Sequence, residues 1–511
     1  MQIARTPFLI ALAGLSAFAT AEFTGPAPVA WRWAQPTSAA PAGNIAHIND
    51  TIFTAVGSRI YAVNREAGTQ VWRFPVAEPL PASFRTGVVL DGNTIVAAAD
   101  NSVVYGLDAT TGTQKWSYTA PSKVSGIPVL AEKYIILPLA DRTLMAIWAE
   151  DGRAAWDKPI AMDGGVLGRI TASNNIIYVV DGGLSLSAID VGSKKIIWTQ
   201  RFANLDPDVR PTVFNEAVYV NSGDFIIGLG ARDGRRRQQI NTQNPLVKSP
   251  AMSTDGIAVL TRNGTLLTYD LSGRPLTRKP VDLQGTPLSD PVIVGKQIAV
   301  TTSNGSLNMF SLATGARTWD FIIRPMTRTN NDPSSAGGGG GESAATKPVT
   351  FVQAAGNPVS IGGSLLLPAR DGSLICFDRT NGLDLTSPDI RMVYPNPGDQ
   401  FSNQPPVDVA FQLEDEGSGI NRDSVLVTVD GQKVDFSLTR DGLVMVKFTN
   451  DGKNRVLPDG RKVFKVAAID WMGNERVREF VLTLDATIAR PGAKAPASGG
   501  GGRRGVGSGG G

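Results

Sequence analysis

Residues 105–116 read YGLDATTGTQKW: an alternating start at Tyr105 and Leu107, a polar turn closed by Gly112, and a second run ending on Trp116. Each part has a physical job. Asp108 can accept hydrogen bonds from the N–H groups of its own turn, Gly112 can take the positive φ of a tight hairpin, and Trp116 brings a large apolar surface to bury. A lone hairpin is marginal in water. Its copies therefore decide the fold.

Working outward, related stretches are YAVNREAGTQVW (61–72), MAIWAEDGRAAW (145–156), SAIDVGSKKIIW (187–198), IGLGARDGRRRQ (227–238), the shorter LTYDLSGRPLT (267–277), NMFSLATGARTW (308–319) and LICFDRTNGLDLT (374–386). Their ends are spaced by about 40 residues, the period of a propeller blade rather than of a helical repeat. Between them lie paired β-branched runs such as Pro211-Thr-Val-Phe with Ala217-Val-Tyr-Val, and Pro291-Val-Ile-Val with Ile298-Ala-Val. Each unit thus reads as four strands, with Pro128, Pro211, Pro250, Pro291 and Pro358 at the start of the first, where a proline costs the ladder least. The expected fold is all-β, an eight-bladed β-propeller over 22–390 followed by an immunoglobulin-like β-sandwich.

Two ends of the repeat are incomplete. Residues 29–33, VAWRW, match the outer strand of a blade without a hairpin before them, and the eighth hairpin ends without a tryptophan. The chain is expected to close its ring by lending 29–33 to the last blade, which removes two exposed edges. Trp31, Trp72, Trp116, Trp156, Trp198 and Trp319 are then the blade anchors. The blades ending at Gln238 and Thr277 are expected to be held less firmly.

From 391 to 486 the repeat gives way to period-two runs, Val407-Val409-Phe411-Leu413 and Phe480-Leu482-Leu484 among them, separated by Asp-Gly turns. These predict a small antiparallel sandwich. The stretches 414–420 and 468–474 resemble signatures of bacterial immunoglobulin-like modules on exported proteins. Asp415, Glu416, Asp470 and Asn474 offer too few oxygens for a calcium site, so no metal is expected.

The flanks are of other kinds. Residues 1–21 read as a secretory signal peptide, Arg5 preceding an apolar run too short to span a bilayer. No cysteine lies near the junction to carry a lipid. Residues 326–347 form a glycine-rich insertion expected as a flexible loop, and 487–511 a disordered glycine-rich tail. The protein is expected to be exported, in the periplasm, at the cell surface or outside, with no transmembrane segment. Its 511 residues are 42% hydrophobic and 19% charged, with a formal net charge of +3, which argues against nucleic acid as partner. One cysteine, Cys376, excludes an intrachain disulfide.

The hairpins resemble the tryptophan-docking repeats of the pyrroloquinoline-quinone (PQQ)-type β-propellers, best at 61–72 and 105–116, over about residues 29–386. That family holds quinone-dependent dehydrogenases as well as non-enzymatic propellers, and fold does not choose between them. The resemblance implies, for a dehydrogenase, a quinone stacked between a tryptophan and a disulfide of adjacent cysteines, with calcium beside it. One cysteine cannot make that disulfide, and His47, the sole histidine, has no acidic cluster beside it. No cofactor is therefore expected, neither PQQ nor calcium, and no catalytic residue. The reading is an exported, monomeric, non-catalytic binding or scaffold protein whose partner is a protein or cell-envelope component. The alternative is a PQQ-dependent oxidoreductase with a degenerate site. Arg85, Arg169, Arg210 and Lys248 stand at or just before first strands and are expected to ring one mouth of the propeller, where they would attract an anionic or acidic partner.

Overall fold

A computed structural model describes residues 22–35, 39–166, 169–206, 209–325, 351–396 and 398–488. The expected signal peptide, the glycine-rich insertion and the tail beyond 488 lie outside the described residues. The chain divides into two units, Met1–Thr386 with Glu416–Gly419, and Ser387–Asp415 with Ile420–Gly511.

The first unit is a β-propeller. Among the described residues its strands fall into eight sets of four, at 41–74, 84–119, 129–161, 171–201, 212–241, 246–282, 292–322 and 359–378, the last completed by Val29–Ala34. Each set is an antiparallel meander, and blades are numbered here in that order. The first and second blades join into one eight-stranded sheet through a parallel pairing of Asn44 with Gly87. That approach needs glycine. A Cβ on Gly43 would lie 2.1 Å from the Thr86 carbonyl oxygen, and one on Gly87 2.3 Å from the Asn44 nitrogen.

The leading strand closes the ring. Val29–Ala34 pairs antiparallel with Ser373–Asp378, setting Trp31 opposite Cys376 and Trp33 opposite Leu374. Trp31 donates its indole N–H to the Arg65 carbonyl at 2.6 Å, and a Cβ on Gly68 would strike its ring at 2.6 Å. The eighth blade thus docks on the first.

The same contact recurs around the ring, and the hairpin sequence explains it. Asp108 takes the N–H groups of Thr110 and Thr111 on one oxygen at 3.0 Å each, while Gly112 adopts φ +73°. The tight turn leaves the Ala109 carbonyl pointing out and the glycine face bare. Trp72 of the preceding blade fills both, donating to Ala109 O at 2.9 Å and lying on Gly112. Trp198 does likewise with Ala231 O, at 3.0 Å, and Gly234. Trp156 donates to Val191 O at 2.9 Å, but the fourth-blade turn carries Lys194 at positive φ in the glycine place, with its ammonium 5.9 Å from the ring centroid. Trp116 lies on Gly152 without a hydrogen-bond partner for its N–H. Trp319, fully buried, donates to Ser418 O at 2.9 Å and meets Phe377 edge-on.

The second unit is a two-sheet sandwich of four and five strands. Phe411, Phe448 and Phe464, each at most 1% exposed, pack in its core with Val409, Val446 and Leu482.

Candidate functional site

The recurrent prolines organise the propeller axis. In the third, fifth, sixth, seventh and eighth blades the residue before the proline is Ile127, Arg210, Ser249, Asp290 and Asn357, and strand register puts Arg169 and Asn44 at the same level in the fourth and first. All seven line one of two adjoining cavities of about 420 and 480 Å³, and Arg210 and Asn357 line both. Lacking an N–H, each proline leaves the start of its strand short of a donor. The preceding blade docks on the proline carbonyls, Thr171 Oγ1 donating to Pro211 O at 2.5 Å and Thr212 Oγ1 to Pro250 O at 2.6 Å.

Asp290 is the hub of this layer. Its Oδ2 accepts Arg169 Nη1 at 3.1 Å and Asn357 Nδ2 at 2.9 Å, and its Oδ1 accepts the Ser249 N–H at 2.9 Å. Its own N–H donates to Asn357 Oδ1 at 3.0 Å. Arg210 joins through its N–H to Ser249 Oγ at 2.8 Å and its Nε to Thr171 Oγ1 at 3.2 Å. Five blades are bridged by these bonds. Burial and then the neighbouring Arg169 charge lower the Arg210 pKa from its ordinary value, with Asp290 acting the other way. Two guanidinium groups thus face one carboxylate in a confined channel. The arrangement carries a surplus positive charge on partly buried side chains, Arg169 being 37% exposed.

The four cations named from sequence are not all brought together. Arg169 and Arg210 stand in the channel layer. Arg85 is two residues ahead of that level on an irregular stretch of Phe84–Asp91, and its side chain, 72% exposed, turns out to Asp100 at 3.1 Å. Lys248 is one residue ahead, so its backbone turns instead: its carbonyl accepts Asn221 Nδ2 at 2.7 Å and its φ is +63°. In a strand an offset of one residue reverses the facing direction, and a bulge undoes the count. Asp290 and Asn357 were missed by sequence reasoning, although both stand directly before a recurrent proline. Aligning the blades on their prolines finds them.

Cys376 is the one cysteine of the chain, 0% exposed, and burial pushes its thiol up to about 12. His47 is exposed on Pro41–Ile48, opposite Ile52. In the second unit Asp470 is used by its own turn, accepting from the Met472 and Asn474 N–H groups at 2.8 and 2.9 Å and from Asn474 Nδ2 at 2.7 Å. Among the described residues no helix is long and apolar enough to cross a membrane.

Comparison with known proteins places this architecture. The "Outer membrane protein assembly factor BamB" of Yersinia pestis is 21% identical over 344 residues, covering 63% of this chain and 80% of that protein. The same factor of Moranella endobia (strain PCIT) is 24% identical over 286 residues, covering 52% of this chain and 71% of that protein. The crystal structure of BamB from Moraxella catarrhalis superposes with a TM-score of 0.53 at 16% identity, over 68% of this chain and 98% of that one. The computationally designed Ika8 protein superposes with a TM-score of 0.51 at 11% identity. The family "Outer membrane protein assembly factor BamB", built of PQQ-like repeats, matches residues 56–161 and 159–385. That is more than half of the chain, and the protein belongs to this family of repeat propellers.

Proposed function

We propose that this chain is an exported, non-catalytic binding protein of the cell envelope, a BamB-like scaffold whose propeller channel receives an acidic segment of a protein partner. The observation that carries the reading is the pairing of two guanidinium groups, Arg169 and Arg210, with the single carboxylate of Asp290 at the channel layer. A carboxylate entering the channel completes that charge balance. Family membership supports a scaffold role, because the relatives are assembly factors by name. The channel layer is polar, bridged blade to blade, and spends its hydrogen bonds on fixing its own geometry, as a preorganised recognition site does.

The test is titration of the mature chain with a fluorescent oligoglutamate peptide that has no apolar residues. Saturable binding that weakens with salt is expected, and R169Q/R210Q should weaken it about tenfold or more at low ionic strength. Equal binding by both proteins would remove the channel as the site.

A further inference from the structure

The outermost strand of a propeller blade is a sheet edge, and edges are normally protected against strand addition by charge, shortness or cover. Most blades here follow that rule. The outer strands of the third and sixth are two residues long, Ile160–Ala161 and Val281–Asp282. Those of the seventh and eighth, Arg317–Ile322 and Val29–Ala34, have no exposed residue. In the second and fifth blades the two residues ahead of the tryptophan position are polar or charged, Gln114-Lys115 and Arg236-Arg237. The first blade offers one exposed apolar residue, Val71, between Gln70 and Trp72 on a five-residue strand.

The fourth blade departs from all of these. Its outer strand, Lys195–Arg201, is seven residues long, and every residue but Trp198 is exposed. The two positions that carry protective side chains elsewhere are Ile196 and Ile197, 51% and 42% exposed. Ile196 lies opposite Ile189 and Trp198 opposite Ala188, so Ile197 is the extra residue of a bulge. A bulge re-aims a side chain, and here it leaves two isoleucines side by side in water. Beyond it Trp198 to Arg201 run in regular register with Ser185 to Ala188, leaving the far edge of that run open. Charge on the strand is confined to its ends, at Lys195 and at Arg201, whose exposed guanidinium lies 3.6 Å from the exposed carboxylate of Asp163.

We propose that this edge is a strand-addition site for an extended segment of a partner protein, apolar in the middle and acidic at its ends. Backbone groups of Thr199 to Arg201 would pair with the incoming strand, Ile196 and Ile197 would be covered by its apolar residues, and Lys195 and Arg201 would meet its carboxylates. The end charges also argue against a second copy of this chain. An antiparallel self-pairing centred on Trp198 sets Lys195 opposite Arg201 twice, and like charges directly opposed destabilise a ladder.

The test uses the mature full-length chain and two fluorescent peptides of alternating valine and threonine, one with glutamate at both ends and one with lysine. The variant is I196Q/I197K, which installs the pair that the second blade carries at the same positions and so should fold. Wild type is expected to bind the glutamate-ended peptide saturably, and the variant and the lysine-ended peptide should each weaken binding about tenfold. R169Q/R210Q should bind the strand peptide as wild type does, which separates this site from the channel. Equal binding by wild type and I196Q/I197K, or no saturation up to about 1 mM peptide, overturns the proposal. So does a sedimenting dimer of wild type that the variant abolishes, since the edge would then belong to a second copy.

Discussion

Two neighbouring junctions of the propeller solve one problem with different parts. Between the fourth and fifth blades a single side chain, Trp198, both donates to the Ala231 carbonyl and covers Gly234. Between the fifth and sixth, Gln238 stands in the tryptophan register and donates its Nε2 to the Leu271 carbonyl at 2.8 Å, while Ile240 takes over the apolar cover of Gly273. At the next junction Val281 and Thr277 both set methyl carbons against Gly315, so the apolar cover is again supplied without an indole. Hydrogen bond and hydrophobic cover are therefore separable functions of the docking residue. Blades that have lost the indole are not left undocked, and how firmly they are held beside the tryptophan-bearing blades is a matter for measurement.

The largest test of this comparison is the seam. Deleting 29–33 removes Trp31 and Trp33, the latter 8% exposed, and should cost several kcal/mol, each buried tryptophan being worth about 3–5 kcal/mol on truncation. Chemical denaturation reads the loss, and an unchanged midpoint would show that this strand does not close the ring. Cys376 reports on the same event from the opposite strand. Its thiol, raised to about 12, favours the folded state below the ordinary thiol value of 9.0, and that contribution disappears as pH rises toward 12. At pH near 8 the intact protein should resist alkylation, while the deletion variant reacts.

Next in size is Trp198→Ala, at about 3–5 kcal/mol. Ile240→Ala should follow at about 2–4 kcal/mol, and Gln238→Ala at about 1 kcal/mol, the worth of one hydrogen bond. If Gln238→Ala costs more than Ile240→Ala, the division of labour described for that junction is wrong. Hydrogen exchange adds a sharper view: protection in the fifth and sixth blades should approach that of the fourth instead of collapsing. Smallest of all is Arg85→Gln, within about 0.5 kcal/mol of wild type and without effect on oligoglutamate binding. Any loss of binding there would mean that the channel reaches farther than Arg169 and Arg210.

Much of the propeller was legible because its determinants are local and repeated. Asp108 and Gly112 announce their turn within five residues, and the recurrent tryptophans mark the blades. The partner of each tryptophan was not legible, because the Gly112 face that receives Trp72 belongs to another hairpin, and a glycine explained by its own φ asks for no second reason. The channel was half legible. Arg169 and Arg210 draw attention as cations, but Arg85 looks equivalent until the irregular pairing of Phe84–Asp91 moves it off the axis. Asp290 is invisible to a search for like charges. Its role follows from five blades converging on one level, a relation that spans Arg169 to Asn357.

The closing strand also sets a condition on when this protein can be finished. Arg32 bonds to Ser373, 341 residues away, so the first strand of the propeller waits for the last blade. Ring closure thus joins residues far apart in the propeller's sequence, and loop entropy of that length opposes it by an amount that grows only logarithmically. What length does govern is time. Until residues 373–377 are available, the backbone of Val29–Ala34 has no strand to pair with, although Trp31 and Trp33 already have partners on the first blade in Arg65 and Tyr61, leaving the seam as the slowest and most aggregation-prone step of assembly. A folding helper that holds the leading strand would act at this step, and premature truncation anywhere before residue 373 would yield a chain that cannot complete its ring.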